Sequence, residues 1–274
     1  MDTREDKRGY GRIGRIACGL LAAALLLALV LYGTRSKPKL FVLMYHHVVA
    51  DGGECNSVTV TESRLREDFA WLAENGWKTV LPRELVSGDA KVDDKTVLIT
   101  FDDGYRSNYV YAYPLLREYG LKAEIAVITH FPDAGAEFFM TWDMMREMAD
   151  SGLVEFGSHT HDLHNPETGG EFVSQGRNGV QQRTGESKEA FAARVGTDLE
   201  TSFARLRDEL GVEPVCFAYP FGAHDAISDK AVDRLFSVTL LTDGHGAAKI
   251  SRGYRLLKRI GVDMSRPLSE ILPH

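Results

Sequence analysis

The stretch "GSHTHDLHN", residues 157 to 165, places His159, His161 and His164 directly after the apolar run "LVEF". Two adjacent carboxylates, Asp102 and Asp103, follow another apolar run, "TVLITF". Imidazole nitrogens and carboxylate oxygens are ligands that Zn²⁺ and related divalent metals take in proteins. A second carboxylate beside such a site can accept a proton from water. The residue types therefore predict a divalent metal site with a general base next to it.

Spacing alone leaves the choice of histidine ligands open. In an extended strand His159 and His161 share one face, whereas in a helix His161 and His164 do. A turn just after Thr160 would instead let His159 and His164 converge. The aspartates also have a second interpretation, because Asp-Asp-Gly after a strand is common in turns whose carboxylates cap a following helix.

The elements that must position these residues are short apolar strands alternating with amphipathic helices. The predicted strands are "LFVLMYH" (40–46), "TVLITF" (96–101), "AEIAVIT" (123–129), "LVEFGSH" (153–159), "VCFAYP" (215–220) and "FSVTLL" (236–241). Helical spacing relates Leu65, Phe69 and Leu72, then Met144, Met145 and Met148, and then Phe191, Val195, Leu199, Phe203, Leu206 and Leu210. This alternation predicts an α/β fold with a parallel sheet, either open or closed into a barrel.

In both architectures, reactive groups lie at the C-terminal ends of the strands. Polar residues of ligand type follow four predicted strands: His46-His47, Asp102-Asp103-Gly104, the histidines from 159 to 164, and Tyr219-Pro220-Phe221-Gly222. We therefore expect these four segments to meet at one end of the sheet.

The N-terminal region has the pattern of a membrane anchor. A basic leader (1–15) precedes an uncharged apolar run (16–33), which as a helix would reach about 27 Å, close to the thickness of a bilayer's hydrocarbon core. We predict a single transmembrane helix with its N-terminus in the cytoplasm, a linker (34–39) and a catalytic domain (40–274) on the extracytoplasmic side.

Charge and cysteine content limit the partners and the compartment. The chain carries a formal net charge of −7, which gives no electrostatic reason to bind nucleic acid. Cys55 and Cys216 could pair in an oxidising compartment. The polar, glycine-rich segment 165–187 is interpreted as a long surface loop, and the sequence does not distinguish a functional loop from a disordered one.

Three motifs, taken in order, resemble a known family: "LITFDDGY", "MTWDMMREMADSGLVEFGSHTHDLH" and "FAYPFG". They look like the first three motifs of the polysaccharide deacetylases of the NodB-homology type, carbohydrate esterase family 4. The resemblance extends over nearly all of the chain after the apolar run. It implies a distorted (β/α)7 barrel and a divalent metal, usually Zn²⁺ with Co²⁺ or Ni²⁺ as alternatives, that serves to cleave N-acetyl groups from glycans.

Carried over by position, the resemblance makes Asp103 a metal ligand and Asp102 the general base. His159 becomes the first histidine ligand. The second ligand commonly comes four residues later, but position 163 is Leu. The five-residue step to His164 is similar to the branch of the family that deacetylates poly-N-acetylglucosamine. This resemblance implies that His164 binds the metal and that His161 does not.

The same branch implies further roles. Its general acid comes from a Tyr-His motif on the first strand, which here gives His46. Ala218 stands where the third motif often has an arginine that orients the base, so we hypothesise that Arg259 of "LKRIGV" reaches Asp102 instead. The backbone N–H of Phe221 is assigned to the oxyanion. Tyr219 and Pro220 are assigned to substrate binding.

The predicted function is a metal-dependent hydrolase that removes N-acetyl groups from an extracellular N-acetylglucosamine polymer, releasing acetate, with poly-N-acetylglucosamine favoured. Peptidoglycan or chitin-like oligomers are alternative substrates. A catalytically inactive, membrane-tethered glycan-binding protein is the alternative of another class. The expected partners are a glycan polymer and the membrane; the sequence specifies no protein partner.

Overall fold

The computed structural model describes residues 38–164, 179–250 and 253–273. Residues Lys39–His274 form one compact unit. The strands within the described ranges are β1 (Leu40–Tyr45), β2 (His47–Val49), β3 (Thr59–Thr61), β4 (Lys78–Thr79), β5 (Thr96–Phe101), β6 (Ala123–Val127), β7 (Val154–Ser158), β8 (Cys216–Ala218), β9 (Val238–Leu241), β10 (Leu257–Lys258) and β11 (Ile260–Gly261).

The helices are α1 (Glu62–Glu74), α2 (Pro82–Ser87), α3 (Tyr113–Tyr119), α4 (His130–Asp133), α5 (Trp142–Asp150), α6 (Lys188–Leu210), α7 (Ala226–Val232) and α8 (Leu268–Ile271). A π-helical turn, Asn108–Ala112, precedes α3, and a 3₁₀ turn, Pro220–Gly222, follows β8.

The strands form a nearly closed parallel barrel. Hydrogen bonding connects them in the order β10-β9-β8-β7-β6-β5-β1-β11, with β4 added beside β5. Only Arg259 separates β10 from β11, so one segment pairs with β9 through its first half and with β1 through its second half. This architecture agrees with the predicted α/β barrel of the NodB type.

The barrel strands are apolar along their whole length because both of their faces are buried. In β1, Leu40 and Val42 point into the barrel interior, whereas Phe41, Leu43 and Tyr45 pack in the layer beneath the helices. The same period of two extends along β5 and places Asp102, the residue after the strand, on the interior side of the rim.

The helices have defined ends and buried apolar stripes. Helix α6 begins at Ser187, whose side chain accepts a hydrogen bond from the N–H of Ala190, and ends at Gly211, which has the left-handed φ of 72° that glycine adopts without strain. Its buried stripe packs on β7 and on α7. This stripe fixes α6 beside the strand that carries the histidines.

Several predictions fall outside the described residues or differ from the structure. The predicted span (16–33) and most of the loop from 165 to 187 lie outside them; in the described part of the chain, no helix is long and apolar enough to cross a bilayer. Cys55 and Cys216 are not joined: Cys55 is exposed, while Cys216 is buried in β8. The short strands β2, β3, β4, β10 and β11 were not among the predicted ones.

Candidate active site

The residues at the C-terminal ends of β1, β5, β7 and β8 meet at one rim of the barrel. Backbone strain is concentrated there: Asp103, Thr160 and Phe221 have φ values of 71°, 77° and 57°, in the left-handed region that residues other than glycine rarely adopt. Such strain persists only where the surrounding structure enforces it, and it is frequent at functional sites.

Asp103, His159 and His164 form a cluster whose ligand-type atoms all lie within 4.8 Å of one another. Asp103 Oδ1 lies 3.6 Å from His159 Nε2 and 3.7 Å from His164 Nε2. This oxygen is buried and has no hydrogen-bond partner among the described residues. The carboxylate oxygen and the two Nε2 atoms do not hydrogen-bond to one another, yet they converge on one point. Such an arrangement forms a pocket for a cation.

The donor set fits a divalent metal. Ligands about 2.1 Å from a tetrahedral ion are about 3.4 Å apart, close to the two separations measured here. A buried, unpartnered carboxylate oxygen is costly unless a cation or a hydrogen bond satisfies it. One Asp oxygen and two imidazole nitrogens therefore match Zn²⁺ or a similar ion, without specifying which one.

His159 is held in the form that binds metals. Its Nδ1 lies 2.7 Å from the carbonyl oxygen of Ala218, which can only accept a hydrogen bond, so Nδ1 carries the proton. Burial lowers the pKa of His159 to about 4, although the nearby Asp102 opposes the shift. The imidazole is therefore neutral near pH 7, with the Nε2 lone pair directed at Asp103.

The chain turns after β7 in a way that separates His161 from the cluster. Thr160 adopts its left-handed φ, and no helix follows within residues 161–164. His161 Nδ1 bonds to Thr129 Oγ1 at 2.9 Å, away from Asp103. The turn thus brings His159 and His164 together, which is the third of the arrangements that spacing left open.

A carboxylate from α6 holds this turn. Asp198 accepts hydrogen bonds from the backbone N–H groups of His161 and Asp162, each at 2.8 Å. Sequence reasoning missed Asp198, because α6 is remote in the sequence and an aspartate within a polar helix face gives no distinguishing signal.

Asp102 forms a bidentate ion pair with Arg259. Nη1 donates to Oδ1 at 2.6 Å and Nη2 donates to Oδ2 at 2.7 Å, while Nε donates to the carbonyl of Leu241 at 3.0 Å. Burial alone would raise the pKa of Asp102, but the guanidinium of Arg259, together with the nearby His159 and His46, outweighs burial and holds that pKa well below its usual range. This is the contact that the Arg259 hypothesis requires; the catalytic role of the pair stays a prediction.

His46 lies on the other side of the same carboxylate. Its Nε2 is 3.9 Å from Asp102 Oδ2, too far for a hydrogen bond, and its side chain is partly exposed. Asn108 donates from Nδ2 to the carbonyl oxygen of His46 at 2.8 Å and fixes the backbone there. The arrangement leaves a gap between a partly exposed imidazole and an ionised carboxylate.

The 3₁₀ turn after β8 packs against the cluster through Phe221, whose ring centroid lies 4.7 Å from that of His164. Tyr219 and Pro220, assigned to substrate binding, are both buried, and the Tyr219 hydroxyl donates to Asp229 at 2.9 Å. Their placement gives no support to a contact with substrate, because Tyr219 is buried directly before the turn and Pro220 is the buried first residue of the turn.

Comparison with known proteins identifies the family. The family model described as "Polysaccharide deacetylase" matches residues 89–236, more than half of the chain. The chain belongs to the polysaccharide deacetylase family. The matched region contains Asp102, Asp103, His159 and His164, but neither His46 nor Arg259.

Relatives of this polysaccharide deacetylase include the "Putative polysaccharide deacetylase YxkH" of Bacillus subtilis, 32% identical over 232 residues, which cover 84% of this chain and 73% of that protein. The poly-β-1,6-N-acetyl-D-glucosamine N-deacetylase of Escherichia coli K12 is 29% identical over 232 residues, covering 77% of this chain and 34% of that enzyme. The chain therefore spans about a third of the length of the E. coli relative.

Solved structures share the fold. A de-N-acetylase from Aggregatibacter actinomycetemcomitans has a TM-score of 0.73 and 25% identity, covering 85% of this deacetylase and 98% of that chain. The deacetylase domain of BpsB from Bordetella bronchiseptica has a TM-score of 0.65 and 27% identity, covering 82% of this chain and 97% of that one.

Proposed function

We propose that the protein is a metal-dependent N-deacetylase of an N-acetylglucosamine polymer, with poly-β-1,6-N-acetylglucosamine as the favoured substrate. The observation that carries the proposal is the convergence of Asp103 with His159 and His164, 3.6 and 3.7 Å apart, beside a second, ionised carboxylate. A metal-dependent hydrolase needs a cation, a base and an acid within one substrate's reach, and the rim supplies a candidate for each.

Asp103, His159 and His164 are the residues that would hold the metal. A divalent ion bound there supplies Lewis acidity, which polarises the acetamide carbonyl and makes water more acidic. Ligation would also satisfy the unpartnered Oδ1 of Asp103.

Asp102 acts as the general base. Water attacks the acetyl carbon, and its proton passes to a carboxylate oxygen of Asp102. Arg259 keeps this carboxylate ionised and fixes its orientation through two parallel N–H···O bonds. The low pKa makes Asp102 a weak base in isolation, so the acidity gained by the water is what makes the transfer favourable.

His46 and the 3₁₀ turn complete the reaction. His46, protonated at Nε2, donates that proton to the amine nitrogen as the C–N bond breaks. The backbone N–H of Phe221 donates to the oxyanion that develops on the former carbonyl oxygen. The products are acetate and a glucosamine residue in the glycan.

Two features support poly-N-acetylglucosamine as the substrate. The five-residue step from His159 to His164 and the Tyr-His motif on β1 are those of the branch that the sequence resembles. Relatives named as poly-β-1,6-N-acetyl-D-glucosamine N-deacetylases occur in both E. coli and Staphylococcus aureus. We further propose that the apolar run 16–33 anchors the enzyme with its catalytic domain on the extracytoplasmic side.

The first test compares His164→Ala with His161→Ala in the full chain. Bound metal is measured by elemental analysis, and acetate release is measured with β-1,6-linked N-acetylglucosamine oligomers. We expect His164→Ala to lose both and His161→Ala, the matched control, to retain both. If His161→Ala loses the metal instead, the ligand set is wrong.

The second test compares substrates. Acetate release is measured from poly-β-1,6-N-acetylglucosamine, chitin oligomers and peptidoglycan fragments under one set of conditions. Preference for the β-1,6-linked polymer supports the proposal, whereas preference for one of the others reassigns the substrate. A metal-loaded protein that binds glycans and releases no acetate from any of them would be a binding protein rather than an enzyme.

A further inference from the structure

An exposed phenylalanine lies beside the candidate active site. Phe138 is 59% exposed, although most large apolar side chains of this protein are buried. Its ring centroid is 5.4 Å from that of Tyr105, in an edge-to-face arrangement, and 5.0 Å from that of His47. The rings of Tyr105 and His47 are themselves 5.0 Å apart. We call these three residues, His47, Tyr105 and Phe138, the aromatic ledge.

The ledge is fixed to the loop that carries the catalytic aspartates. The N–H of Arg106 donates to the carbonyl of Phe138, and the N–H of Met140 donates to the carbonyl of Gly104, both at 3.0 Å. The ring of Phe139 stacks on that of Tyr105 at 5.3 Å and closes this short antiparallel pairing. Because the segment is tied to the loop by backbone bonds, Phe138 has a set position relative to Asp103.

The ledge is continuous with the metal cluster. Tyr105 is two residues after Asp103, in the loop that pairs with Phe139. At the other end, His47 directly follows His46, the proposed acid. The ledge therefore begins at two of the groups that act on the acetamide and extends outward to Phe138.

A cavity of about 300 Å³ opens beside two residues of the ledge, His47 and Phe138. This volume is at the lower end of the range for small-molecule pockets. His47, Val49 and Phe138 give it an apolar wall, while Arg106 and Glu137 add charged groups at the exposed edge. His47 Nδ1 bonds to the hydroxyl of Ser107 at 2.9 Å, which leaves Nε2 for an external hydrogen bond.

This combination fits a pyranose ring. A sugar ring has an apolar C–H face, which stacks on an aromatic ring, and a rim of hydroxyl groups, which need hydrogen-bond partners. An apolar peptide would leave the charged edge unsatisfied, and a simple anion would not use the exposed face of Phe138. The exposed aromatic face of Phe138, with polar groups at the edge of the cavity, matches one sugar residue.

We propose that the aromatic ledge is a subsite for the sugar residue next to the one being deacetylated, with Phe138 as the stacking platform. This inference rests on the proposed function, since it assigns the neighbouring unit of the same glycan. It makes the enzyme prefer oligomers to a single N-acetylglucosamine, because only an oligomer can occupy the cluster and the ledge together.

The binding test uses metal-depleted full chain and a β-1,6-linked N-acetylglucosamine tetramer, so it does not depend on turnover. We expect Phe138→Ala to weaken the tetramer's affinity about tenfold, which corresponds to about 1.4 kcal/mol. Phe138→Trp should retain the affinity, and the new indole fluorescence should change on binding. Val212→Ala, an exposed apolar residue outside the ledge and its cavity, is the control and should bind as the parent does.

The kinetic test compares kcat/KM for the tetramer with kcat/KM for a single N-acetylglucosamine, which cannot occupy the cluster and the ledge together. Phe138→Ala should reduce this ratio mainly through the KM of the tetramer, with metal content unchanged. An unchanged ratio together with unchanged tetramer affinity would overturn the subsite. Tetramer binding that depends on Phe138 in a protein without deacetylase activity would keep the subsite and reject the proposed function.

Discussion

Two carboxyl groups buried in the same barrel interior have pKa values shifted in opposite directions. Asp102, 2% exposed, bonds to Arg259 and is ionised, whereas Glu124 on β6, 0% exposed, has the weak thiol donor of Cys216 and no guanidinium beside it among the described residues. Burial, reinforced by the charge of Glu155, raises the pKa of Glu124 well above its ordinary value. Glu124 pairs in register with Thr100, only two residues before Asp102.

The difference between Asp102 and Glu124 separates a candidate reactive group at the rim of the barrel from a structural group below it. The guanidinium of Arg259 favours the charged form of Asp102, whereas Glu124, which lacks such a neighbour, favours the neutral form. Below the rim, the fold makes room for the neutral acid, since a Cβ on Gly157 would lie 2.1 Å from Glu124 Oε1. At the rim, Arg259 joins β10 to β11 and brings its charge to the base.

The largest effect is expected from reversing the charge of Arg259, which distinguishes the surroundings of Asp102 from those of Glu124. Arg259→Glu leaves Asp102 buried beside a second acid, which should destabilise the fold by about 3–5 kcal/mol and reduce turnover at least about 10²-fold. Metal content should fall far less, because Asp103 and the histidines do not contact Arg259. Thermal unfolding, elemental analysis and acetate release measure the three quantities.

Arg259→Lys is the matched variant, since it keeps the charge and loses the bidentate geometry. We expect it to fold and to recover only part of the turnover. Equal losses of metal and turnover in either variant would contradict the assignment of Arg259 to the base.

The next effect tests whether the ionised carboxyl group is needed at Asp102 and not at Glu124. Asp102→Asn should reduce turnover about 10²- to 10⁴-fold, the range for losing a positioned general base, while the metal stays bound. Glu124→Gln is the same chemical change within the same barrel and should leave turnover near that of the parent. Comparable activity losses in both variants would mean that barrel integrity, rather than proton transfer, limits the rate.

A strand or a site residue could be predicted from the sequence when the pattern that identifies it lies within a few neighbouring residues. Strand β5 has the bounds predicted for "TVLITF", because a largely apolar run identifies a strand that is buried on both faces. The segment that closes the barrel was missed, since Lys258 and Arg259 interrupt its apolar pattern and each half is only two residues long.

The candidate site shows the same limit. Residue types and strand ends indicated Asp103 and the histidines, but only the resemblance chose His164 over His161. Asp198 and Phe138 were not recognised, because their partners are distant in the sequence or depend on a backbone pairing that no local pattern specifies. Side chains that support a site are found from packing, not from spacing.

A third carboxylate, the half-buried Asp198, extends the comparison, because backbone N–H groups rather than a cation satisfy it. Asp198→Ala removes both acceptors from the turn before His164 and should weaken metal affinity about 10- to 100-fold, as is typical for residues that orient metal ligands. The metal dissociation constant is measured by competition with a chelator, independently of turnover. Asp198→Asn, which keeps one acceptor oxygen, should recover part of the affinity.

Thr201→Ala is the control for Asp198, since Thr201 is on the same helix and its hydroxyl donates only to the carbonyl of Thr197 within that helix. It should bind metal as the parent does. If Asp198→Ala binds metal equally well, the turn does not need this support and the cluster is held by the strands alone.

The smallest effect concerns Glu124 and appears in stability rather than in turnover. Its pKa is higher in the folded state than the ordinary value of 4.5, so the folded state holds its proton more tightly than the unfolded state does. The stability that it contributes is fully present below pH 4.5 and is lost as the pH rises through the folded-state pKa. Glu124→Gln keeps a neutral side chain of the same size at every pH and removes this loss.

The free energy of unfolding of the parent and Glu124→Gln should therefore differ little near pH 4 and diverge in favour of the variant towards about pH 9. Chemical denaturation at several pH values measures the divergence, and Glu54→Gln, an exposed glutamate, is the control. Parallel curves for the parent and Glu124→Gln would show that Glu124 ionises in the folded barrel as it does in water. In that case a cation or water must satisfy it, and the contrast with Asp102 would be one of partner rather than of protonation.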